Sequence, residues 1–536
     1  MTESVSESAN QALYIRPNVR VEGLLNKFVT WMHVAAPAPA AMNLANLQLA
    51  MMDSYVQHPD VHAAAVANPK MKGGFFINVP TSRAEEIRAL RDDIKEANAP
   101  ILELAGAIKD AENLLRAQAT GYDLSPLYAQ LPEPLRGYVE LVYDINNHPQ
   151  LRFLEALLYR SPYWREDRQS VEFSLDDGSE PPFVLSTPRL PQEGHLQLPI
   201  PLRHRGIDEF FAMRTKPQTL DHLAAALGVS SDADARLLRS FLTTEQTMAP
   251  DRDISDGGRI RYFGHACVLV QSPSVSILAD PFISSNPFAG DGRFTYTDLP
   301  DHIDYVLITH GHQDHVVLET LLQIRHKVGT VIVPRNGGGH RQDPSIRLLL
   351  EAFGFTVREV EDYDELTFPG GRLVALPFLG EHCDLDIRAK SSYWLDIAGR
   401  KVFLGADTSG LERAMYERVR EHVGPTDVAF IGMECDGAPL SWLYSGLFTQ
   451  PVPRKMSLTR KLSGSNAAQA LGMAQALGAD EAYIYAMGQE DWLQHVMATS
   501  YTPESYQLLQ VAEFLDSCKE HGIAGEHLLV RKELRW

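Results

Sequence analysis

The stretch "ITHGHQDHV", residues 308–316, places His310, His312, Asp314 and His315 within six consecutive positions. Imidazole and carboxylate are the common ligands of transition metals. The motif begins as the apolar run "DYVLIT" (304–309) ends, and a strand end gives ligands a rigid base. On an extended backbone His310 and His312 face the same way. Asp314 and His315 follow a turn and can reach a second point nearby. The spacing therefore predicts two metal ions, with His310 and His312 on the first and Asp314 and His315 on the second. Such a centre can activate water for hydrolysis or, with a redox metal, dioxygen for oxidation.

Further along, "PFLGEHCDLDI" (377–387) sets Glu381 beside His382. In an extended segment adjacent side chains point oppositely, so the two would not both face the same point. His382 would give a nitrogen-rich set of the kind zinc hydrolases use. Glu381 would give two histidines and a carboxylate, a set that favours iron and leaves positions open for oxygen.

These residues need elements to hold them. Beyond a polar, glycine-containing segment at "PDRDISDGGRI" (250–260), short runs rich in Val and Ile read as strands: "RIRYFGHACVLVQ", "SVSILAD", "DYVLIT", "GTVIVP", "RLVALPF", "SYWLDIAGRKVFLGAD", "DVAFIGM" and "EAYIYAM". Helical segments such as "LETLLQIRHKV" and "NAAQALGMAQALGA" separate several of them, and "DIAGRKVFL" reads as a hairpin turning at Ala398-Gly399. Before the boundary, near residue 255, the pattern is mainly helical. Residues 82–119 carry apolar residues at helical spacing, with Pro100 as an interruption and Ser82 placed to cap the start. The proline-rich stretch 185–206 predicts a loop or extended arm. Residues 219–246 read as helix, turn at Gly228, helix. In "PRNGGGHRQD" (334–343) the glycines could let backbone approach a substrate, although a loop is the plainer reading. "ECDGAPLSWLYSGLF" (434–448) is aromatic and could line a pocket or a core.

The chain has 536 residues, enough for two or three domains, and a net charge of −20. That charge repels nucleic-acid phosphates and anionic lipid, so neither nucleic acid nor membrane is an expected partner. The most apolar early stretch, residues 31–52, is broken by His33, two prolines and two asparagines and does not span a membrane. Four scattered cysteines form no CxxC pair, which fits a reducing cytoplasm. The polar start "MTESVSESANQ" argues against a signal peptide, and residues 1–11 are expected to be disordered.

"HGHQDH" matches the HxHxDH signature of the metallo-β-lactamase fold. "YFGHACVLVQ…ILADPF" resembles that fold's opening strands and "LGADTSG" (404–410) its later aspartate motif. The resemblance covers about residues 258–500. It implies an α/β fold class, an αββα sandwich preceded by a mainly helical, α+β N-terminal domain. It further implies Asp280 as an aspartate behind the ligands, Asp407 as the bridge between both metals, and His495 in "YIYAMGQEDWLQHVMA" as the last ligand. With "LGEHCDLDI", "MGQEDWLQHV" and the helical N-terminal half, the whole chain resembles the di-iron β-hydroxylases of non-ribosomal peptide assembly lines, of the chloramphenicol-pathway type.

That resemblance implies two irons joined by an oxo or hydroxo bridge, with Glu381 as a ligand in the catalytic set and His382 behind it. It implies O₂ as co-substrate, an outside electron donor, and an aminoacyl substrate held as a thioester on a carrier domain, an arylalanine such as L-p-aminophenylalanine. Residues 256–536 would be the catalytic domain. Residues 1–255 would serve dimerisation, giving a homodimer, or carrier docking. A dinuclear zinc hydrolase of the same superfamily is the alternative, and the choice between Glu381 and His382 decides.

Overall fold

A computed structural model of the protein describes residues 11–536; the expected disorder of residues 1–11 falls almost wholly outside that range. From Arg259 onward the Val- and Ile-rich runs form two seven-stranded sheets. The first runs Val357–Val360, Val328–Pro334, Ile303–Leu307, Val275–Ala279, Val268–Ser272, Arg259–Tyr262 and Lys532–Arg535. The second runs Glu365–Phe368, Gly371–Leu376, Ser392–Ile397, Arg400–Leu404, Val428–Gly432, Glu481–Tyr485 and Ala524–His527. The hairpin turns where expected, with Ile397 opposite Arg400 and both Ala398 and Gly399 at positive φ.

Alternation along the strands explains the layering. Val268, Val270, Ile277, Leu307 and Ile332 face Leu373, Leu395, Val402 and Phe430 between the sheets. Their sequence neighbours point outward into apolar surroundings too. Trp394, Phe403 and Ile431 meet the helices Arg413–Val423, Ala467–Leu477 and Tyr506–Glu520. Leu269, Leu278, Val306 and Val331 meet the helix Leu318–Ile324 and the N-terminal half in one continuous core. Strands buried on both faces have to read as near-continuous apolar runs, as these do. The expected αββα sandwich is present.

The N-terminal half is helical with three small sheets added, two of them two-stranded: Tyr14–Ile15 with Leu242–Thr243, and Val139–Tyr143 with Pro149–Phe153. Phe28–Val29, Val19–Leu25, Gln169–Leu175 and Leu196–Leu198 form a four-stranded sheet. The central pairing, Val19 with Leu175 through Leu25 with Gln169, joins segments far apart in sequence. The helical run breaks as expected, into Ala84–Ala97 and Ala99–Gln118, with Pro100 in the first turn of the second helix. Ser82 does not cap the first helix. It sits in a 3₁₀ turn, Thr81–Arg83, and Arg83 occupies the cap position without a side-chain bond. Leu220–Leu227 and Asp232–Ser240 form the expected helix pair, with Gly228 left-handed at the turn. In the glycine loop, Gly339 approaches Phe153 rather than a ligand. A Cβ there would lie 2.2 Å from the Phe153 carbonyl oxygen, and Phe153 N donates to Gly339 O at 2.8 Å.

The proline-rich stretch is a strap, buried throughout 185–190, and a buried ion pair anchors it. Arg189 donates from Nε and Nη2 to the two oxygens of Glu22, at 2.6 and 2.7 Å, and to the carbonyls of Thr187 and Pro182. Both side chains are buried. Burial acts to raise the Glu22 carboxyl, but Arg189 overrides it and holds the group at about 2. Arg189→Leu leaves that carboxylate buried and alone, and should destabilise the protein by about 3–5 kcal/mol in urea unfolding. A loss below about 1 kcal/mol would mean the strap is held by its apolar contacts instead.

Candidate metal centre

Backbone bonds at the end of the Ile303–Leu307 strand set the site. Asp280 ends the neighbouring strand with φ +36, and its amide donates to Leu307 O at 2.8 Å. Its carboxylate then accepts from Thr309 N at 2.8 Å, from Thr309 Oγ1 at 2.5 Å and from His315 Nδ1 at 2.9 Å. From the second sheet, Tyr393 Oη donates to Ile308 O at 2.8 Å and Ser391 N to Thr309 O at 2.8 Å. The chain turns after His312, where Val316 N donates back to His312 O. His310, His312, Asp314 and His315 are all buried.

Two clusters result, and they share a neighbour. His310 Nε2 lies 3.1 Å from His312 Nδ1, and His312 Nδ1 lies 3.1 Å from Glu381 Oε1. Asp314 Oδ2 lies 3.6 Å from His315 Nε2 and 3.1 Å from His265 Nε2. Asp407 Oδ2 lies between them, 3.6 Å from His310 Nε2 and 3.1 Å from His315 Nε2. Asp407 reaches this point from a loop with Ala406 at φ +46, pinned where Ala406 N donates to Tyr485 Oη at 2.7 Å.

The Glu381 segment is not extended. Gly380, Glu381, Cys383 and Asp384 all have positive φ, so neighbouring side chains need not diverge. Both Glu381 and His382 therefore face the cluster, and the His382 ring centroid lies 4.5 Å from that of His312. The turn is held from outside. Leu379 N donates to Thr408 Oγ1 and Ser409 N to Leu379 O, while Lys390 Nζ donates to Gly380 O and Arg460 Nε to Cys383 O.

His495 is not brought to these clusters. It sits in the short helix Gln494–Met497, where its Nε2 pairs with Glu319 Oε2 at 3.1 Å. The position beside Asp314 is filled by His265, from the turn between the strands Arg259–Tyr262 and Val268–Ser272. Sequence reading used "YFGHACVLVQ" only for its strands and passed over this residue. The available signal was a Gly-His pair interrupting two apolar strands. Gly264 is required there, since a Cβ would meet the Trp492 ring at 2.4 Å. Glu490 fixes the turn by accepting from His265 N at 3.0 Å and Tyr262 Oη at 2.6 Å. Tyr444, in the aromatic segment, meets His312 Nε2 at 2.8 Å.

The electrostatics fit a pair of cations. His265 Nδ1 is buried without a hydrogen-bond partner, and Glu381 Oε2 faces only His382 Nδ1, at 2.9 Å. Three carboxylates, Glu381, Asp314 and Asp407, converge among the histidines, and Lys390 Nζ is held at the Gly380 carbonyl at 3.1 Å. Burial alone would raise Asp314 and Glu381. The charge on His315 and the hydrogen bond from His265 instead hold Asp314 well below the carboxylate range, and His312 with His382 does the same to Glu381. Burial acts to lower His315, but Asp314, Asp407 and Asp280 hold it well above its usual value. Glu381 likewise raises His312 against burial. Burial and the charges of His315 and His312 drive His310 well down. The carboxylates thus favour positive charge at His312 and His315.

Beside the clusters opens a polar cavity of about 320 Å³, with His312, Asp314, Glu381, Asp407 and Glu434 on its lining. Burial pushes the Glu434 carboxyl well up, and Asp407, Asp314 and Glu381 add to the effect. Lys72 and Gly73 of the N-terminal half line this cavity too, with Trp442 donating from Nε1 to Gly73 O at 2.8 Å.

Residues 14–246 match the diiron non-heme beta-hydroxylase N-terminal domain, and residues 276–484 the beta-lactamase superfamily domain. The chain is 36% identical over 533 residues to the 4-amino-L-phenylalanyl-[CmlP-peptidyl-carrier-protein] 3-hydroxylase of Streptomyces venezuelae, across 97% of this chain and 99% of that one. The crystal structure of CmlA, a diiron beta-hydroxylase from Streptomyces venezuelae, superposes with a TM-score of 0.92 at 34% identity, covering 98% of this chain and 100% of that one. A UPF0173 metal-dependent hydrolase of Desulfitobacterium hafniense is 36% identical over only 74 residues, 14% of this chain. A likeness that runs through both halves of the chain, not the metal motif alone, makes this protein a member of the diiron non-heme β-hydroxylases, a hydroxylase with a di-iron cofactor.

Proposed function

We propose that this enzyme hydroxylates the β-carbon of an arylalanyl group, 4-amino-L-phenylalanyl or a close analogue, carried as a thioester on a peptidyl carrier domain in antibiotic biosynthesis. The observation that carries the chemistry is Glu381 Oε1 beside His312 Nδ1, which completes a two-histidine, one-carboxylate set with His310. We assign His310, His312, Glu381 and Asp407 to the first iron, and Asp314, His315, His265 and Asp407 to the second. Asp280 and His382 stand behind the ligands, and His495 is given no iron. When bound and reduced by an external donor, the iron pair would let O₂ act as the oxidant, one oxygen atom entering the C–H bond and the other leaving as water with two electrons and two protons.

The chain's own residues do the rest. Asp280 accepts from His315 Nδ1 and so presents Nε2 to the centre. Tyr444 occupies His312 Nε2 and leaves Nδ1 for the centre. The cavity receives the aminoacyl group, with Trp442 and Tyr501 as aromatic walls. Residues 256–536 carry catalysis, and residues 1–255 complete the cavity through Lys72 and Gly73 and provide a dimer contact. A cytoplasmic setting fits four free cysteines. Among the described residues no helix is long and apolar enough to cross a membrane. The zinc-hydrolase alternative is not favoured, because the relatives named as hydrolases match only a short segment.

Protein from iron-rich, zinc-limited culture should hold two irons per chain and hydroxylate the loaded carrier; stable zinc binding with ester hydrolysis alone would sink the proposal. Glu381→Ala and His265→Ala should each lose iron and abolish turnover, whereas His495→Ala keeps both irons. His382→Ala should weaken iron binding by about 10–100-fold at most. If His495→Ala loses iron and His265→Ala does not, the assignment of the second site is wrong.

Iron must also compete with protons for the histidine nitrogens. Loading with Fe(II) should release protons, and apparent affinity should fall as pH falls. Because His315 is raised, this dependence should persist above the ordinary histidine range. Calorimetry in buffers of different ionisation enthalpy checks it; a proton-neutral, pH-independent titration would contradict it.

A further inference from the structure

Two stretches of this acidic chain contain no Asp or Glu. Residues 61–84 carry Lys70, Lys72 and Arg83, and residues 437–479 carry Arg454, Lys455, Arg460 and Lys461. They lie far apart in sequence and meet at the mouth of the catalytic cavity. Lys72 and Gly73 come to its lining from the first stretch, and Gly437, Ala438, Trp442 and Leu462 from the second. The short helix Arg454–Thr459 stands on this rim. Its one buried residue, Ser457, donates to Ser441 Oγ at 2.8 Å and accepts from Ser441 N. The rest of that helix faces solvent.

Its outward face mixes cations with apolar side chains. Met456 and Leu458 are each 48% exposed, and Met71, beside Lys72, is 41% exposed. Lys70, Arg454 and Lys455 make no ion pair among the described residues, in a protein whose other surface cations are widely paired. Tyr506 and Leu509 continue the apolar surface where the helix Tyr506–Glu520 begins, next to Ser505 and Gln507 of the cavity lining. Exposed apolar side chains ringed by free cations, beside the opening where a tethered substrate must enter, mark an association surface. On a chain of net charge −20 they select a negatively charged partner.

We infer that the rim formed by residues 69–72, 454–459 and 505–509 is the docking surface for the carrier domain, and that it takes a partner face that is acidic and apolar. This rests on the proposed function and names the surface that serves it.

The test uses the CmlP peptidyl carrier domain loaded with 4-amino-L-phenylalanine as the probe. The wild-type enzyme should lose kcat/KM steeply with added salt. Arg454→Glu/Lys455→Glu should raise KM by about tenfold, leave kcat at saturating carrier unchanged, and flatten the salt dependence. Iron content and circular dichroism equal to wild type establish that the variant is folded. Met456→Asp should raise KM without changing the salt dependence. If wild type turns over and the charge-reversed enzyme shows the same KM, the docking surface is wrong while the proposed function stands. If the variant instead changes the oligomeric state, the rim is a contact between copies and the inference falls. If wild type neither binds nor hydroxylates the loaded carrier at low salt, the proposed function fails, and the docking surface with it.

Discussion

One carboxylate organises the centre. Asp280 accepts the Thr309 amide, the Thr309 hydroxyl and His315 Nδ1 together, and by its own amide it stays in register with Leu307. These bonds join the last residue of one strand to the residue before the metal motif and to the last histidine within it. The path of the turn and the tautomer of His315 are thereby fixed by a single buried group. Tyr393 and Ser391 tie the same segment to the opposite sheet, so the metal residues sit where the two sheets meet. A site built at strand ends inherits the stiffness of the sandwich beneath it.

Charge sets the second constraint. Asp314, Asp407, Glu381 and Glu434 line one small cavity. Like charges this close cannot all ionise without a compensating positive charge. The carboxylates raise His312 and His315 for this reason, and a pair of divalent cations would supply the charge more fully. Acidity at the centre and basicity at the rim are thus opposite solutions within one cavity. Carboxylates inside are the groups that would hold metal, and the cations outside that are unpaired among the described residues, Lys70, Arg454 and Lys455, favour an anionic partner.

Legibility followed the range of the interactions. His310, His312, Asp314 and His315 could be read directly because their ligand geometry is local to one strand end and one turn. The sandwich strands could be read because burial on both faces leaves runs of Val and Ile. Glu381 stayed ambiguous with His382 because the choice depended on backbone angles, and the positive φ at Glu381 defeated the rule of alternating side chains. His265 was missed and His495 chosen in its place because a likeness of motifs suggested a late histidine. The structure reaches the same point from a hairpin at the opposite end of the domain. The four-stranded N-terminal sheet escaped because its central pair joins residues 19–25 to 169–175, and no local pattern encodes so distant a partner.

The site is also where the backbone departs most often from its preferred angles. His265, Asp280, Glu381, Cys383, Asp384 and Ala406 all lie in the left-handed region, each bearing a side chain that the region disfavours by about 1–3 kcal/mol. A stabilising programme that exchanged such residues for glycine would find its easiest gains here, and four of those six gains would delete a charged or ligating group. Resistance to heat and competence for chemistry are therefore set against one another at the same positions. Neutral drift toward a sturdier fold can proceed almost anywhere on this protein except through the residues that most invite it.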